Sequence, residues 1–174
     1  MGKKIAALIV TLAILGATYG LFFAYFAKVG EPAPRAVNGF LDLSAWDFAN
    51  DGVVPLDGEW EFYPNLIVSP DNFASSSLKP DGLPPQRIEV PGSWSDQMTA
   101  LGAATYRLQI KVGDPAPVYG LKTSSVQMSN RVIVNGEVVG QSGTPAAEKR
   151  NYNAMNRPYA VYFNLKPGWN EIVV

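Results

Sequence analysis

The side chains best suited to hold a polar ligand lie in loops of the second half of the chain. Residues 149–157, KRNYNAMNR, are mostly polar, with the aromatic Tyr152 among them. Aromatic faces pack against the C–H faces of sugars, and amide and guanidinium groups hydrogen-bond to sugar hydroxyls. We therefore predict that a small molecule, a carbohydrate, is bound by residues drawn from Trp94, Arg107, Asn130, Arg131, Asn151, Tyr152, Asn153 and Arg157.

Each of these candidates also has a purely structural alternative. Trp94 follows a Pro-Gly turn and would equally cap one end of a hydrophobic core. Arg107 lies in an alternating segment and would equally be an exposed strand residue. The 149–157 segment would equally be a solvated connection, although binding residues are common in long loops. The sequence therefore favours this loop as a region over any single member of it.

A cluster of acidic residues precedes these loops. Oxygen ligands suit Ca²⁺, and six carboxylates fall within 20 positions without an intervening Lys or Arg: Asp42, Asp47, Asp51, Asp57, Glu59 and Glu61. The spacing of an EF-hand is absent, and nothing marks a pair of them for acid–base catalysis. We expect separate carboxylates on a solvated face, no resident cofactor and no catalysis within these residues, with calcium as the alternative.

The composition excludes several classes of function. The 174 residues include no His and no Cys. Catalytic Ser-His-Asp and Cys-His arrangements are therefore excluded, as are zinc, haem and iron–sulfur sites that use those ligands. The chain has 14 Lys and Arg against 15 Asp and Glu. It lacks the basic excess of a nucleic-acid-binding protein, and we expect no nucleic-acid partner.

The N-terminal segment is predicted to cross a membrane. Residues 5–27 are uncharged and apolar, and as a helix they would extend about 34 Å, enough for a hydrocarbon core of about 30 Å. Lys3 and Lys4 favour a cytoplasmic location for the N-terminal residues 1–4. Residues 5–27 would then be a signal anchor. A cleaved signal peptide is the alternative, but the run is long and lacks a small-residue cleavage site.

The predicted anchor gives the chain two partners. The first is the lipid bilayer of the bacterial cell membrane, with everything after residue 27 on the extracytoplasmic side. The second is another copy of the chain, because Gly16, Gly20 and Ala24 form a stripe of small residues that would permit close helix packing and a homodimer. The alternative is that small residues are simply common in membrane helices.

Beyond the anchor the chain divides into a linker and one domain. Pro32 and Pro34 keep residues 28–38 extended. Residues 39–174 are long enough to bury a core of their own. The last segment, from Asn170, reads as a strand without a following turn. We therefore expect the domain to be truncated at its C-terminal end and the protein to be longer.

The signals within residues 39–174 are those of strands and turns. Strict alternation in residues 105–112 and 159–165 predicts half-buried strands. Asn135-Gly136 predicts a two-residue hairpin turn within residues 131–139. Pro-, Gly- and Ser-rich loops occupy Ser69 to Pro85, Pro91 to Gly102 and Gln141 to Pro158. This pattern predicts an all-β fold, an antiparallel β-sandwich.

Several short motifs, in this order, resemble the galactose-binding-like jelly roll. They are Pro55-Leu-Asp-Gly-Glu-Trp-Glu-Phe-Tyr63, Val90-Pro-Gly-Ser-Trp94, Ala104-Thr-Tyr-Arg-Leu108, Val132-Ile-Val-Asn-Gly-Glu-Val-Val-Gly140 and Gly168-Trp-Asn-Glu-Ile-Val173. The order is similar to the N-terminal sugar-binding domain of family 2 glycoside hydrolases. It is also similar to the extracytoplasmic domain of bacterial seven-transmembrane receptors with diverse intracellular signalling modules.

The receptor version is the nearer of the two. Its opening is matched by Gly39-Phe-Leu-Asp-Leu-Ser-Ala-Trp-Asp-Phe48, directly behind a single membrane anchor. The resemblance implies a ligand-sensing, carbohydrate-binding domain of a membrane receptor, whose signalling module lies outside this chain. Two alternatives stay open. One is the non-catalytic sugar-binding domain of a membrane-anchored glycoside hydrolase, and the other is a structural or protein-interaction module.

Overall fold

The computed structural model describes residues 2–28, 33–67, 85–99, 101–114, 118–124 and 126–174. These form two compact units, Met1–Ala33 and Pro34–Val174. The second unit begins earlier than the predicted domain, because Ala36 is buried in its core and bridges to Gly58. Residues 29–32 of the predicted linker and 69–84 of the predicted Ser69 to Pro85 loop lie outside the described residues.

Among the described residues of the first unit, Gly2 to Lys28 form helix α1. Its Gly2–Ala24 part is long and apolar enough to cross a membrane, a criterion that an N-terminal signal sequence also meets. The hydroxyls of Thr11 and Thr18 donate to carbonyls one turn earlier, so the helix satisfies its own polar groups as a lipid environment requires. Orientation and dimerisation through this helix stay predictions.

The second unit is β-rich, as predicted. Its described strands are β1 Phe40–Leu43, β2 Gly58–Pro64, β3 Gln86–Val90, β4 Ala104–Val112, β5 Tyr119–Thr123, β6 Asn130–Val134, β7 Glu137–Ser142, β8 Tyr159–Phe163 and β9 Gly168–Val173. The large sheet has the order β3-β2-β4-β9-β6-β7, with β1 added beside β4, and β5 and β8 form a second, two-stranded sheet.

Strand β4 organises the large sheet. Its first residues pair with β2, its last residues pair with β1, and its other edge pairs with β9. Every named strand pair is antiparallel except β1 with β4. β2 pairs with β4 only as far as Arg107, and β1 occupies the same edge of β4 from Gln109 onward, in the parallel direction. The alternation in the sequence predicts strands but not this direction.

The core lies between the two sheets. Leu108, Ile110 and Val112 face inward from β4, as their alternation predicts, and pack with Trp60 and Phe62 of β2. Burying one such side chain stabilises the fold by about 1.5–3 kcal/mol. The second sheet contributes its own inward-facing residues, Leu121, Tyr159 and Phe163, which pack against this cluster. The predicted β-sandwich preceded by one apolar helix is confirmed.

The predicted hairpin is also confirmed. Asn135 and Gly136 have φ values of 49° and 86°, the left-handed conformation that a type I′ turn requires at both central residues. The turn joins β6 to β7 and places Asn135 at one end of the large sheet. Because β4 and β6 both run antiparallel to β9, they begin together at the opposite end, where the predicted binding loop lies.

Candidate functional site

The predicted binding loop is held in place by hydrogen bonds from its backbone. Thr144 and Asn153 exchange backbone N–H to O bonds of 2.8 and 3.1 Å. The Ser142 hydroxyl at the end of β7 donates to the Met155 carbonyl at 3.0 Å and accepts from the Arg157 N–H at 3.1 Å. These bonds fix the backbone while the side chains of Asn153 and Arg157 remain exposed. The loop is therefore a preorganised polar surface.

A half-buried glycine explains why the loop can lie so close to the strand. Gly143 has a φ of +68°, and a Cβ there would be 2.4 Å from the Asn153 carbonyl oxygen. Only glycine fits this approach without moving backbone. Within the loop, Lys149–Asn151 form one 3₁₀ turn, and the Tyr152 N–H donates to the Lys149 carbonyl. Tyr152 is half-buried and Asn151 is exposed.

Two predicted residues on β6 border this loop in different ways. Asn130 is buried, and its side-chain oxygen accepts a 2.5 Å hydrogen bond from the Tyr159 hydroxyl of the second sheet. Arg131 faces the other way and donates to the Gln141 side chain at 3.2 Å. The structure therefore connects Asn130 to the loop through its strand partner Ser142, with its amide oxygen occupied by Tyr159.

Trp94 lies beside the core. Its ring stacks on Tyr106 near the start of β4, with ring centroids 6.4 Å apart, and it packs against the core cluster. Its carbonyl also accepts hydrogen bonds from the N–H groups of Gln97 and Met98, which closes a turn. This is the core-capping position that was the structural alternative for Trp94.

Arg107 lies on the outer face of the large sheet between two carboxylates. Its Nη1 is 2.8 Å from Glu61 Oε2 of β2, and its Nε donates to Glu171 of β9. All three side chains are largely buried, so Arg107 is not the exposed strand residue of the structural alternative. Burial opposes its charge, but hydrogen bonds to both carboxylates raise the pKa of Arg107.

The same cluster includes Tyr63 and Arg87. The Tyr63 hydroxyl donates to Glu61 Oε2 at 3.0 Å, and Arg87 Nη1 lies 3.3 Å from the other Glu61 oxygen. The expectation that Glu61 lies on a solvated face is therefore wrong. Sequence analysis missed this cluster because alternation assigns Glu61 and Arg107 to outer faces without showing that β2 and β4 place them opposite each other.

The environment of Tyr63 should make the free energy of unfolding decrease as the pH rises in the alkaline range. Burial, with the neighbouring Glu61 charge, raises the pKa of Tyr63 to about 12, against about 10 in an unfolded chain. The stabilisation that comes from keeping Tyr63 protonated in the folded state is complete below pH ~10 and is lost as the pH rises toward ~12. We expect Tyr63→Phe to flatten this decline, measured by urea unfolding at pH 8 to 11. Tyr162→Phe, at an exposed site, should keep the wild-type slope; equal slopes for wild type and Tyr63→Phe would contradict the assignment.

Three other carboxylates of the acidic cluster accept hydrogen bonds from nearby groups. Asp47 accepts from the Ala49 N–H and the Asn50 amide, and Glu59 accepts from the Asn38 N–H. Asp42 accepts from the Ser44 N–H and lies 3.5 Å from Lys111. Among the described residues, no group of three His, Cys, Asp or Glu side chains could hold a metal ion. Calcium stays an untested alternative.

Comparison with known proteins gives partial structural similarities. No family model matches the chain, and no curated protein does. A GH2 β-galacturonidase from Eisenbergiella tayi bound to galacturonate is 20% identical with a TM-score of 0.41, over 67% of this chain and 17% of that one. A β-glucuronidase from an uncultured Clostridium sp. gives 17% and 0.44, over 68% and 20%. One from Faecalibacterium prausnitzii gives 22% and 0.41, over 69% and 20%.

This chain therefore spans about a fifth of the length of those enzymes. The β-galacturonidase belongs to GH2, which is the enzyme family of one of the two resemblances found in the sequence. At these identities and TM-scores they carry no argument about function. The receptor resemblance stays a prediction.

Proposed function

We propose that the chain is an extracytoplasmic domain that binds a carbohydrate and is tethered to the bacterial membrane by α1. It serves as the sensing part of a receptor whose signalling module lies outside this chain. The observation that carries the binding proposal is the preorganised loop, in which exposed Asn151, Asn153 and Arg157 project from a backbone held to β7. The domain binds its ligand without converting it.

The loop chemistry suits a hydroxyl-rich ligand. Arg157 and Asn151 are exposed and carry several N–H donors, and half-buried Tyr152 offers an aromatic surface beside them. Because the backbone is already ordered by the Ser142 and Thr144 bonds, binding does not have to order it again. A rigid, polar and partly aromatic loop is the arrangement in which weak single contacts add to a specific site.

The segment that follows the anchor supports a sensing role. It is hydrogen-bonded along β2, with the Ala36 N–H donating to the Asp57 carbonyl at 2.8 Å and the Glu59 N–H donating to the Ala36 carbonyl at 2.9 Å. Arg35 also pairs with Glu89 of β3. A change in the sheet on binding would therefore reach Arg35 and Ala36, at the start of the second unit, through bonded backbone. Relay requires that the ligand prefer one of two conformations.

The binding proposal predicts a ligand-dependent rise in stability of the full chain in detergent micelles. Glucose, galactose, N-acetylglucosamine, glucuronate and peptidoglycan oligosaccharides would be screened by thermal shift. A ligand at a hundredfold excess over its Kd stabilises by about 2.7 kcal/mol. We expect Tyr152→Ala and Arg157→Ala to weaken binding at least about tenfold, or ~1.4 kcal/mol.

Arg150→Ala is the matched control for these variants. Arg150 is exposed on the same loop and paired with Glu148, so its loss should leave binding unchanged. No stabilisation by any sugar, or equal binding by all three variants, would contradict the proposal. Orientation is checked with Val53→Cys, an exposed site in a chain without native Cys, which a membrane-impermeant maleimide should label on intact cells.

A further inference from the structure

A cleft lies at the end of the large sheet opposite the binding loop. Its volume is about 220 Å³, and it is lined by Asn135, Lys166, Trp169, Asn170 and Glu171. The cleft forms where the hairpin turn after β6 and the turn before β9 come together. It shares no residue with the loop, and none of its residues was a candidate from the sequence.

Trp169 is the aromatic wall of this cleft. Its neighbours fix the indole, because Phe40 contacts it edge-on with centroids 5.6 Å apart and Lys111 Nζ lies 5.9 Å over the ring. The side chain is nevertheless 49% exposed. Trp169 is held by two neighbours and is still exposed to water. A ligand can therefore pack on its apolar surface with little further loss of side-chain entropy.

The base of the cleft is a hydrogen-bonded network. The buried Asn170 amide donates to the Lys166 and Gly168 carbonyls at 2.8 and 3.1 Å. Its oxygen accepts from the Lys166 N–H at 3.0 Å and from the Asn135 amide at 2.9 Å. The Glu171 N–H in turn donates to the Asn135 oxygen at 3.0 Å. Both turns are therefore fixed relative to each other, and the shape of the cleft is already formed.

Two polar groups remain to meet a ligand. Lys166 is exposed, and no described carboxylate lies within ion-pairing distance of its ammonium group. Glu171 uses one carboxylate oxygen for Arg107, which leaves the other as an acceptor. An ammonium donor and a carboxylate acceptor beside an open indole match the hydroxyl groups and C–H face of a sugar ring.

We propose that this Trp169 cleft binds one pyranose ring of a carbohydrate. The C–H face of the ring packs on the indole, and its hydroxyls accept from Lys166 and donate to Glu171. The volume of about 220 Å³ suits a single ring rather than a drug-sized ligand. The cleft is a second binding surface, and it does not depend on the loop.

The test is a titration of the ¹⁵N-labelled full chain in micelles, followed through its indole and backbone N–H signals, so that the backbone amides around residue 169 report binding in the variant that lacks the Trp169 indole. The chain has four Trp, and Trp46 and Trp60 donate their indole N–H to backbone carbonyls. Methyl β-D-glucopyranoside and sodium D-glucuronate are the probes, at up to about 10 mM, tenfold above a Kd of ~1 mM. We expect the Trp169 signal to move, and Trp169→Leu to weaken binding at least tenfold.

Two further variants make the result decisive. Tyr162→Leu removes an aromatic ring that is 75% exposed on β8 and should leave binding unchanged. Lys166→Met should weaken binding of both probes, and of glucuronate more if a carboxylated sugar is preferred. The dispersion of the other indole signals shows that each variant is folded. An unmoved Trp169 signal, or equal binding by Trp169→Leu and Tyr162→Leu, would overturn the proposal.

The same spectra separate this inference from the proposed function. Movement of the backbone amides of residues 149–157 without movement of Trp169 would remove the cleft and leave the loop site. Movement of Trp169 alone would remove the loop site and leave the cleft.

Discussion

Replacement of Arg107 by Met is expected to lower the free energy of unfolding by about 3–5 kcal/mol. The substitution keeps the volume of the aliphatic stem but leaves Glu61 and Glu171 without their shared cation. Both carboxylates are largely buried, with side-chain exposures of 10% and 17%, so water replaces the lost partner poorly. Chemical denaturation of the full chain in micelles, followed by tryptophan fluorescence, measures the change.

Two further variants test whether the loss of stability comes from the buried ion pairs of Arg107 with Glu61 and Glu171. Arg107→Lys should still cost on the order of 2 kcal/mol, because one ammonium group cannot replace a guanidinium that uses Nε for one carboxylate and Nη1 for the other. Arg150→Met breaks the exposed pair with Glu148 and should change stability by less than about 0.5 kcal/mol. Equal effects of Arg107→Met and Arg150→Met would refute the buried bridge.

Substitution of Gly58 by Ala is the second change with a large expected effect, on the order of 3 kcal/mol. Gly58 has a φ of +119°, and a Cβ there would be 2.3 Å from the Ala36 carbonyl oxygen and 2.7 Å from the Ala36 nitrogen. Both contacts are with backbone, so no side-chain rotation relieves them. We expect the Ala36 segment to separate from β2.

Amide hydrogen exchange gives this prediction a local readout. The Glu59 N–H, which donates to the Ala36 carbonyl, should lose protection in Gly58→Ala. Gly52→Ala is the matched control, since Gly52 also has a positive φ, +85°, but nothing lies within 4 Å of its Cβ position. It should cost about 1 kcal/mol and leave Glu59 protected. Unchanged protection in Gly58→Ala would contradict the close contact.

The strands of the core could be predicted because their alternation is a local property. Residues 105–112 show the alternation of β4 directly, with Leu108, Ile110 and Val112 inward. The hairpin at Asn135 was equally predictable, because its turn type depends on two adjacent residues. The first residues of the domain were not, since Ala36 is buried only because a glycine more than 20 positions later lets the backbone approach.

The polar clusters could not be predicted, because they depend on strand register. Glu61, Arg107 and Glu171 are distant in sequence and meet only when β2, β4 and β9 are aligned. Trp169 was assigned simply to a final strand, and its cleft requires the turn at Asn135 beside it. For Trp94 the sequence left a ligand-binding loop position and a core-capping position open, and its stacking on Tyr106 places it against the core.

Strand β4 contacts three of these features. Tyr106 at its start stacks on Trp94, Arg107 holds the buried bridge, and Lys111 near its end lies over Trp169. Its far half also borders β1, the first strand after the segment that leaves α1. In a mutational scan, substitutions that change both folding stability and the response to ligand should therefore be concentrated in β4. Changes in β5, which among the described strands is hydrogen-bonded only to β8, should produce folding phenotypes only.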